Sequence, residues 1–152
     1  MPPGLGKAPQ RAPKVLVVDD EPDVVTYLYT LLEEHGYDVC FAADGIEGMQ
    51  KVREESPNLI CLDIHMPEKS GILMYEEMKM DSRLKGIPVL VVTGYKGDEP
   101  LLQEFKRYLV ERSVPFPEGY LEKPIDQSYF IQAVRRILRG EKVLSLDSVH
   151  NK

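Results

Sequence analysis

The chain has 152 residues, of which 43% are hydrophobic and 29% charged, and a formal net charge of −6. That length suits one globular domain, and the mixture is too apolar for a disordered chain. The acidity argues against a nucleic-acid surface spread over the domain, and the apolar runs fall far short of the ~20 residues of a membrane span. No apolar segment follows the basic residues near Met1, so no secretory signal is read there. Cys40 and Cys61 lie in apolar, strand-like runs without metal-ligand spacing, as expected of reduced, buried thiols in a cytoplasmic protein.

Residues 1–13 hold four prolines and little to bury, and read as a flexible arm. Lys14–Asp19 is a β-branched apolar run ending in acid, followed by Val24, Leu28, Leu31 and Leu32 at the spacing of one helix face that closes at His35-Gly36. A short strand is predicted over Tyr37–Phe41, and a helix with Ile46, Met49 and Val52 then stops before Pro57. Asn58–Leu62 is a third strand, followed by Asp63 and by a loop with Pro67 and Gly71 that opens a helix to about Met80. Ile87–Val92 is a fourth apolar strand ending at Thr93-Gly94. A helix over Glu99–Arg112, a brief strand at Gly119–Leu121 and a last helix with Phe130, Val134, Ile137 and Leu138 complete the order. Residues 140–152 lose helical periodicity and read as a loosely attached tail, leaving 14–139 as the domain.

Five strand–helix units with strands apolar on both faces specify an α/β fold: a parallel sheet covered by helices on both sides. In such sheets the functional crevice lies beyond the carboxyl ends of the strands. Asp19, Asp20 and Glu21 follow the first strand, Asp63 the third, Thr93 the fourth and Lys123 the fifth. Crowded carboxylates repel unless a cation sits among them, and hard oxygen ligands suit Mg²⁺. A lysine and a threonine supply donors to phosphoryl oxygens, and a carboxylate can accept a phosphoryl group covalently. The pattern points to metal-assisted phosphoryl transfer onto Asp63.

The segments VLVVDDEPDV, CLDIHMPEKSG, VVTG and YLEKP, in this order and spacing, resemble the receiver domain of two-component response regulators over about residues 14–139. The resemblance implies a single-domain, doubly wound, flavodoxin-like fold with sheet order 2-1-3-4-5 and five flanking helices. It also implies that Asp63 is the phosphoacceptor. Asp20, Asp63 and the His65 backbone carbonyl would hold Mg²⁺, with Asp19 acting through water and Mn²⁺ able to substitute. Thr93 and Lys123 match the phosphoryl-binding switch residues, Tyr120 the aromatic switch, Gly94 the small residue beside the acceptor, and Pro124 a proline after a cis peptide bond. The implied partners are a histidine kinase or histidine phosphotransfer protein and a downstream protein target, with no nucleic acid and no membrane. A monomer or weak dimer is implied, stand-alone in the manner of chemotaxis regulators, and able to assist its own phosphorylation and dephosphorylation without being an enzyme.

A receiver-like docking module that works without phosphate is the alternative, and missing Mg²⁺ binding would favour it. A haloacid-dehalogenase-like phosphatase is set aside, because such enzymes carry a DxDx nucleophile after the first strand and a cap that this chain lacks. The 30 positions from Thr93 to Lys123 exceed the usual receiver spacing, through a stretched fourth helix and the segment Ser113–Pro117. Phe116, between two prolines, is either an exposed anchor or packing over the sheet edge. The His65 side chain is expected to face solvent.

Overall fold

A computed structural model describes residues 12–65, 70–94 and 99–143. The elements are β1 (Lys14–Val18), α1 (Pro22–Glu34), β2 (Asp38–Ala42), α2 (Gly45–Glu55), β3 (Leu59–Asp63), α3 (Gly71–Met80), β4 (Val89–Thr93), α4 (Glu99–Arg112), β5 (Gly119–Glu122) and α5 (Gln127–Leu138). The strands form one parallel sheet in the order β2-β1-β3-β4-β5. Parallel neighbours need crossovers, and α1 to α4 provide them, while α5 follows the last strand.

Alternation along the strands divides the interior into two layers. Leu16, Val18, Ile60, Leu62, Val89 and Val91 face Met49, Val52, Met74, Tyr75, Met78, Phe105 and Leu109 from α2, α3 and α4. Val15, Val17, Leu59, Cys61, Leu90 and Val92 face Leu28, Leu31, Leu32, Phe130, Ile131, Val134 and Ile137 from α1 and α5. Both layers exclude water, which explains why these strands read as unbroken apolar runs.

Local signals set the helix starts. The Asp44 carboxylate accepts from the Glu47 amide at 2.8 Å, Ser70 from Leu73 at 3.2 Å, and Asp126 from Tyr129 at 3.0 Å. Each satisfies one amide that a first helical turn leaves without a partner. Helix α1 has no side-chain cap and starts instead on Pro22, whose fixed φ suits the first turn.

Strands β2, β3, β4 and β5 each end one residue later than the apolar pattern suggests, because ladder hydrogen bonds and not side-chain polarity set where a strand stops. Asp63 is therefore the last residue of β3, paired in register with Val92, rather than the first of a loop. The Cys40 and Cys61 thiols are free, on strands separated by β1.

Beyond α5 the chain departs from expectation. Gly140 turns with φ +91°, and Val143 then bridges Gly119 in parallel, donating its amide to the Glu118 carbonyl at 2.8 Å. Val143 is only 4% exposed and packs at the free edge of β5, while residues 140–142 are exposed. Val143, Ile137 and Leu90 together close the space beside Gly119. The arm over 1–11 and residues 144–152 lie outside the described residues.

The lengthened segment after β4 takes the expected form. Helix α4 spans Glu99–Arg112, and the following loop is tied down by buried Val114 and by the Tyr75 hydroxyl, which donates to the Pro115 carbonyl at 2.7 Å. Phe116 is 46% exposed.

Candidate functional site

The carboxyl ends of β1 and β3 bring Asp19, Asp20 and Asp63 together, each offering an oxygen within 4.8 Å of the other two. Asp19 and Asp63 are buried and Asp20 is exposed, so the cluster has two walls and an open side. Two short backbone links hold the buried carboxylates in place. The Glu21 amide donates to Asp19 Oδ1 at 2.9 Å, and the His65 amide to Asp63 Oδ1 at 2.9 Å. Both are two-residue turns that aim one oxygen at the backbone and leave the other for the site. The His65 side chain is exposed, as expected.

Gly71 sets the position of α3 relative to the acid. A Cβ there would lie 2.1 Å from the Asp63 carbonyl oxygen and 2.6 Å from Ile64 Cα. Only glycine lets the first turn of α3 press this closely on the backbone of the strand end.

Lys123 arrives from the end of β5. Its Nζ lies 3.0 Å from Asp19 Oδ2, 2.8 Å from Glu21 Oε1 and 3.6 Å from Asp63 Oδ2. The Lys123-Pro124 peptide bond is cis. Glu21, read from the sequence only as the third acid of a run, is thus the closest partner of this lysine. The two are 102 residues apart in the chain, and the only advance signal was the acid itself.

Burial pushes the Asp63 pKa up to about 7; the His65 amide opposes this, and the charge of Asp19 adds to it. Asp19 moves in the same direction, again chiefly by burial, against the pull of the Glu21 amide and Lys123. Burial by itself disfavours the Lys123 ammonium. The hydrogen bond to Glu21 and the charges of Asp63 and Asp19 outweigh it, and hold the lysine above its ordinary pKa.

Thr93 ends β4 in register with Glu122, and Gly94 follows it; the Thr93 side chain, like the loop residues Pro67 and Tyr95, lies outside the described residues. Tyr120 is in β5, 5% exposed, with its ring in the layer of α3 and α4. Its hydroxyl has no hydrogen-bond partner among the described residues.

Three oxygens converging beside a lysine at the carboxyl edge of a parallel sheet suit a hard divalent cation and a phosphoryl group. The family profile for the response regulator receiver domain matches residues 15–135. The chain belongs to this receiver family. Receivers of similar length include PilH of Pseudomonas aeruginosa, 30% identical over 84% of this chain and 98% of PilH. The polar-differentiation response regulator DivK of Brucella anthropi is 32% identical over 82% of this chain and 94% of its own. The chain spans about half the length of two other relatives, 49% of the transcriptional regulator RpaA of Synechocystis and 52% of PhoP of Bacillus subtilis. Among solved structures, a CheY-like receiver from Methanospirillum hungatei superimposes with a TM-score of 0.72 at 25% identity, covering 85% of this chain and 95% of that one. As a receiver, the chain is a phosphoacceptor of two-component signalling rather than a conventional enzyme, with an acidic pocket of Asp19, Asp20 and Asp63 faced by Lys123. No helix among the described residues is long and apolar enough to cross a membrane.

Proposed function

We propose that Asp63 accepts a phosphoryl group from the phosphohistidine of a histidine kinase or histidine phosphotransfer protein, and that Thr93 and Tyr120 pass the change to a partner-binding face. The convergence of Asp19, Asp20 and Asp63 within 4.8 Å, with Lys123 at their side, carries this reading. The donor set fits Mg²⁺, or Mn²⁺ in its place: Asp20, Asp63 and the His65 carbonyl would hold the ion, with Asp19 acting through water. The ion supplies positive charge where the phosphoryl oxygens gather.

The chain's own residues supply the rest. Ionised Asp63 attacks the phosphorus through a carboxylate oxygen, the P–N bond of the donor breaks, and the imidazole leaves with that electron pair. Lys123 is held charged by its acid neighbours and takes a phosphoryl oxygen as a fixed cation. The Thr93 hydroxyl takes another, and Gly94 leaves room beside the acceptor. The switched face then meets a downstream protein, as a monomer or weak dimer in the cytoplasm.

The test is intact-mass measurement after incubation with acetyl phosphate, with and without Mg²⁺, for the wild type and Asp63→Asn. A phosphoryl adduct that needs Mg²⁺ and vanishes in the variant is expected. An adduct that persists in Asp63→Asn refutes the assignment.

A further inference from the structure

Tyr120 is held inward under unusual terms. Its ring is buried against the layer that contains Tyr75, Phe105, Leu109 and Val114, yet its hydroxyl makes no hydrogen bond to any described residue. A buried tyrosine hydroxyl ordinarily finds a partner, and leaving one without costs free energy that water outside would return. Burial of the ring therefore favours the inward position while the hydroxyl favours leaving it.

A third contact bears on this balance. Lys106 Nζ, on α4, lies 5.0 Å from the centroid of the Tyr120 ring. That is within the range at which an ammonium is drawn to an aromatic face. Lys106 is half-buried, and no carboxylate pairs with it among the described residues, so nothing there draws the ammonium away from the ring.

The helix carrying Lys106 is itself tied down. The Tyr108 hydroxyl donates to Glu76 on α3, and Arg112 Nη1 reaches the other oxygen of that carboxylate at 3.2 Å. The Arg112 guanidinium also covers the Tyr108 ring at 4.6 Å. One turn earlier, Phe105 meets Tyr75 edge to face at 5.6 Å. Helix α4 is thus tied to α3, and an outward swing of Tyr120 would carry the ring away from the helix that bears Lys106.

We propose that Lys106 is a positioning residue that locks the Tyr120 ring inward by a cation–π contact and so sets the resting balance of the switch. This rests on the reading of Tyr120 as a switch, and the experiment separates the two. Each of the eight tyrosines is labelled as 3-fluorotyrosine, the Tyr120 resonance is identified with Tyr120→Phe, and ¹⁹F NMR follows its inward and outward populations. Lys106→Met keeps the aliphatic stem and removes the charge, and Lys106→Arg keeps a cation over the ring.

In the resting protein, Lys106→Met is expected to raise the outward-to-inward ratio about fivefold, equivalent to about 1 kcal/mol, and Lys106→Arg to stay within about twofold of wild type. A Lys106→Met resonance that superimposes on wild type overturns the lock, as does a Lys106→Arg variant that behaves like Lys106→Met. Adding Mg²⁺ with beryllofluoride, a phosphoryl mimic, to the wild type tests the switch reading separately. A Tyr120 resonance that ignores it refutes the switch reading, while a fivefold change in resting Lys106→Met still supports the lock. Thermal melts of both variants confirm that each is folded.

Discussion

Replacing Asp63 by asparagine should stabilise the metal-free domain at pH 8 and leave it nearly unchanged at pH 4. Asp63 titrates at about 7 in the folded chain, against an ordinary 3.8. Between those values the folded chain holds a proton that the unfolded chain has released, so stability falls as the pH rises through that window. At pH 4, at the foot of that window, little of this loss has accrued. The interval corresponds to about 4 kcal/mol as an upper bound, at about 1.36 kcal/mol per pH unit. The pull of Lys123, which keeps Asp19 and Glu21 in the variant, is already contained in that value. Relaxation around the ionised carboxylate lowers the bound, so a gain of about 2 kcal/mol is expected, or roughly 4–8 °C in Tm for a chain of this size. Thermal unfolding by circular dichroism in EDTA, at pH 4 and pH 8, reads it directly. Asp19 titrates in both proteins, so the wild-type-to-variant difference reports Asp63 together with its coupling to Asp19. An equal difference at the two pH values, or a less stable variant at pH 8, refutes the reasoning.

Gly71→Ala forces a methyl group onto the backbone of Asp63 and Ile64, and should cost about 2–3 kcal/mol in urea unfolding while weakening Mg²⁺ binding measured by calorimetry. Lys79 is buried and its Nζ donates to the Lys85 and Ile87 carbonyls at 2.9 and 3.0 Å, clamping the turn between α3 and β4. Lys79→Met leaves both carbonyls without that donor but relieves the burial of an ammonium, so a net loss of about 1–2 kcal/mol is expected in the urea midpoint. Phe116→Ala should cost less than about 1 kcal/mol, because the ring is 46% exposed; a loss above about 3 kcal/mol would mean the ring is core packing.

The fold was legible because its strands are buried on both faces and its helices carry apolar residues at helical spacing, so KVLVV and PVLVV announce themselves without context. The site was legible for a related reason: in a parallel sheet the residues after the strands share one edge, and here those residues are acids, a threonine and a lysine. What stayed hidden depends on distances that no local pattern encodes. The link from Lys123 to Glu21 joins the two ends of the domain, and the pressure of Gly71 on Asp63 is a matter of backbone approach. Val143 was missed because the apolar residues after Gly140 keep no helical periodicity, and its burial depends on the room beside Gly119. The strand ends were misplaced by one residue because hydrogen-bond ladders are indifferent to side-chain polarity.

The division of the interior has a practical consequence for protein engineers. Tyr120 belongs to one side of the sheet and its neighbour Leu121 to the other. Side chains under α1 and α5 meet those under α3 and α4 only through strand backbone. Stabilising substitutions drawn from the first group, such as repacking around Leu28, Phe130 and Val134, should therefore combine additively with alterations of the second. A sturdier signalling module can be made on one face while the responsiveness of the other is left as it was.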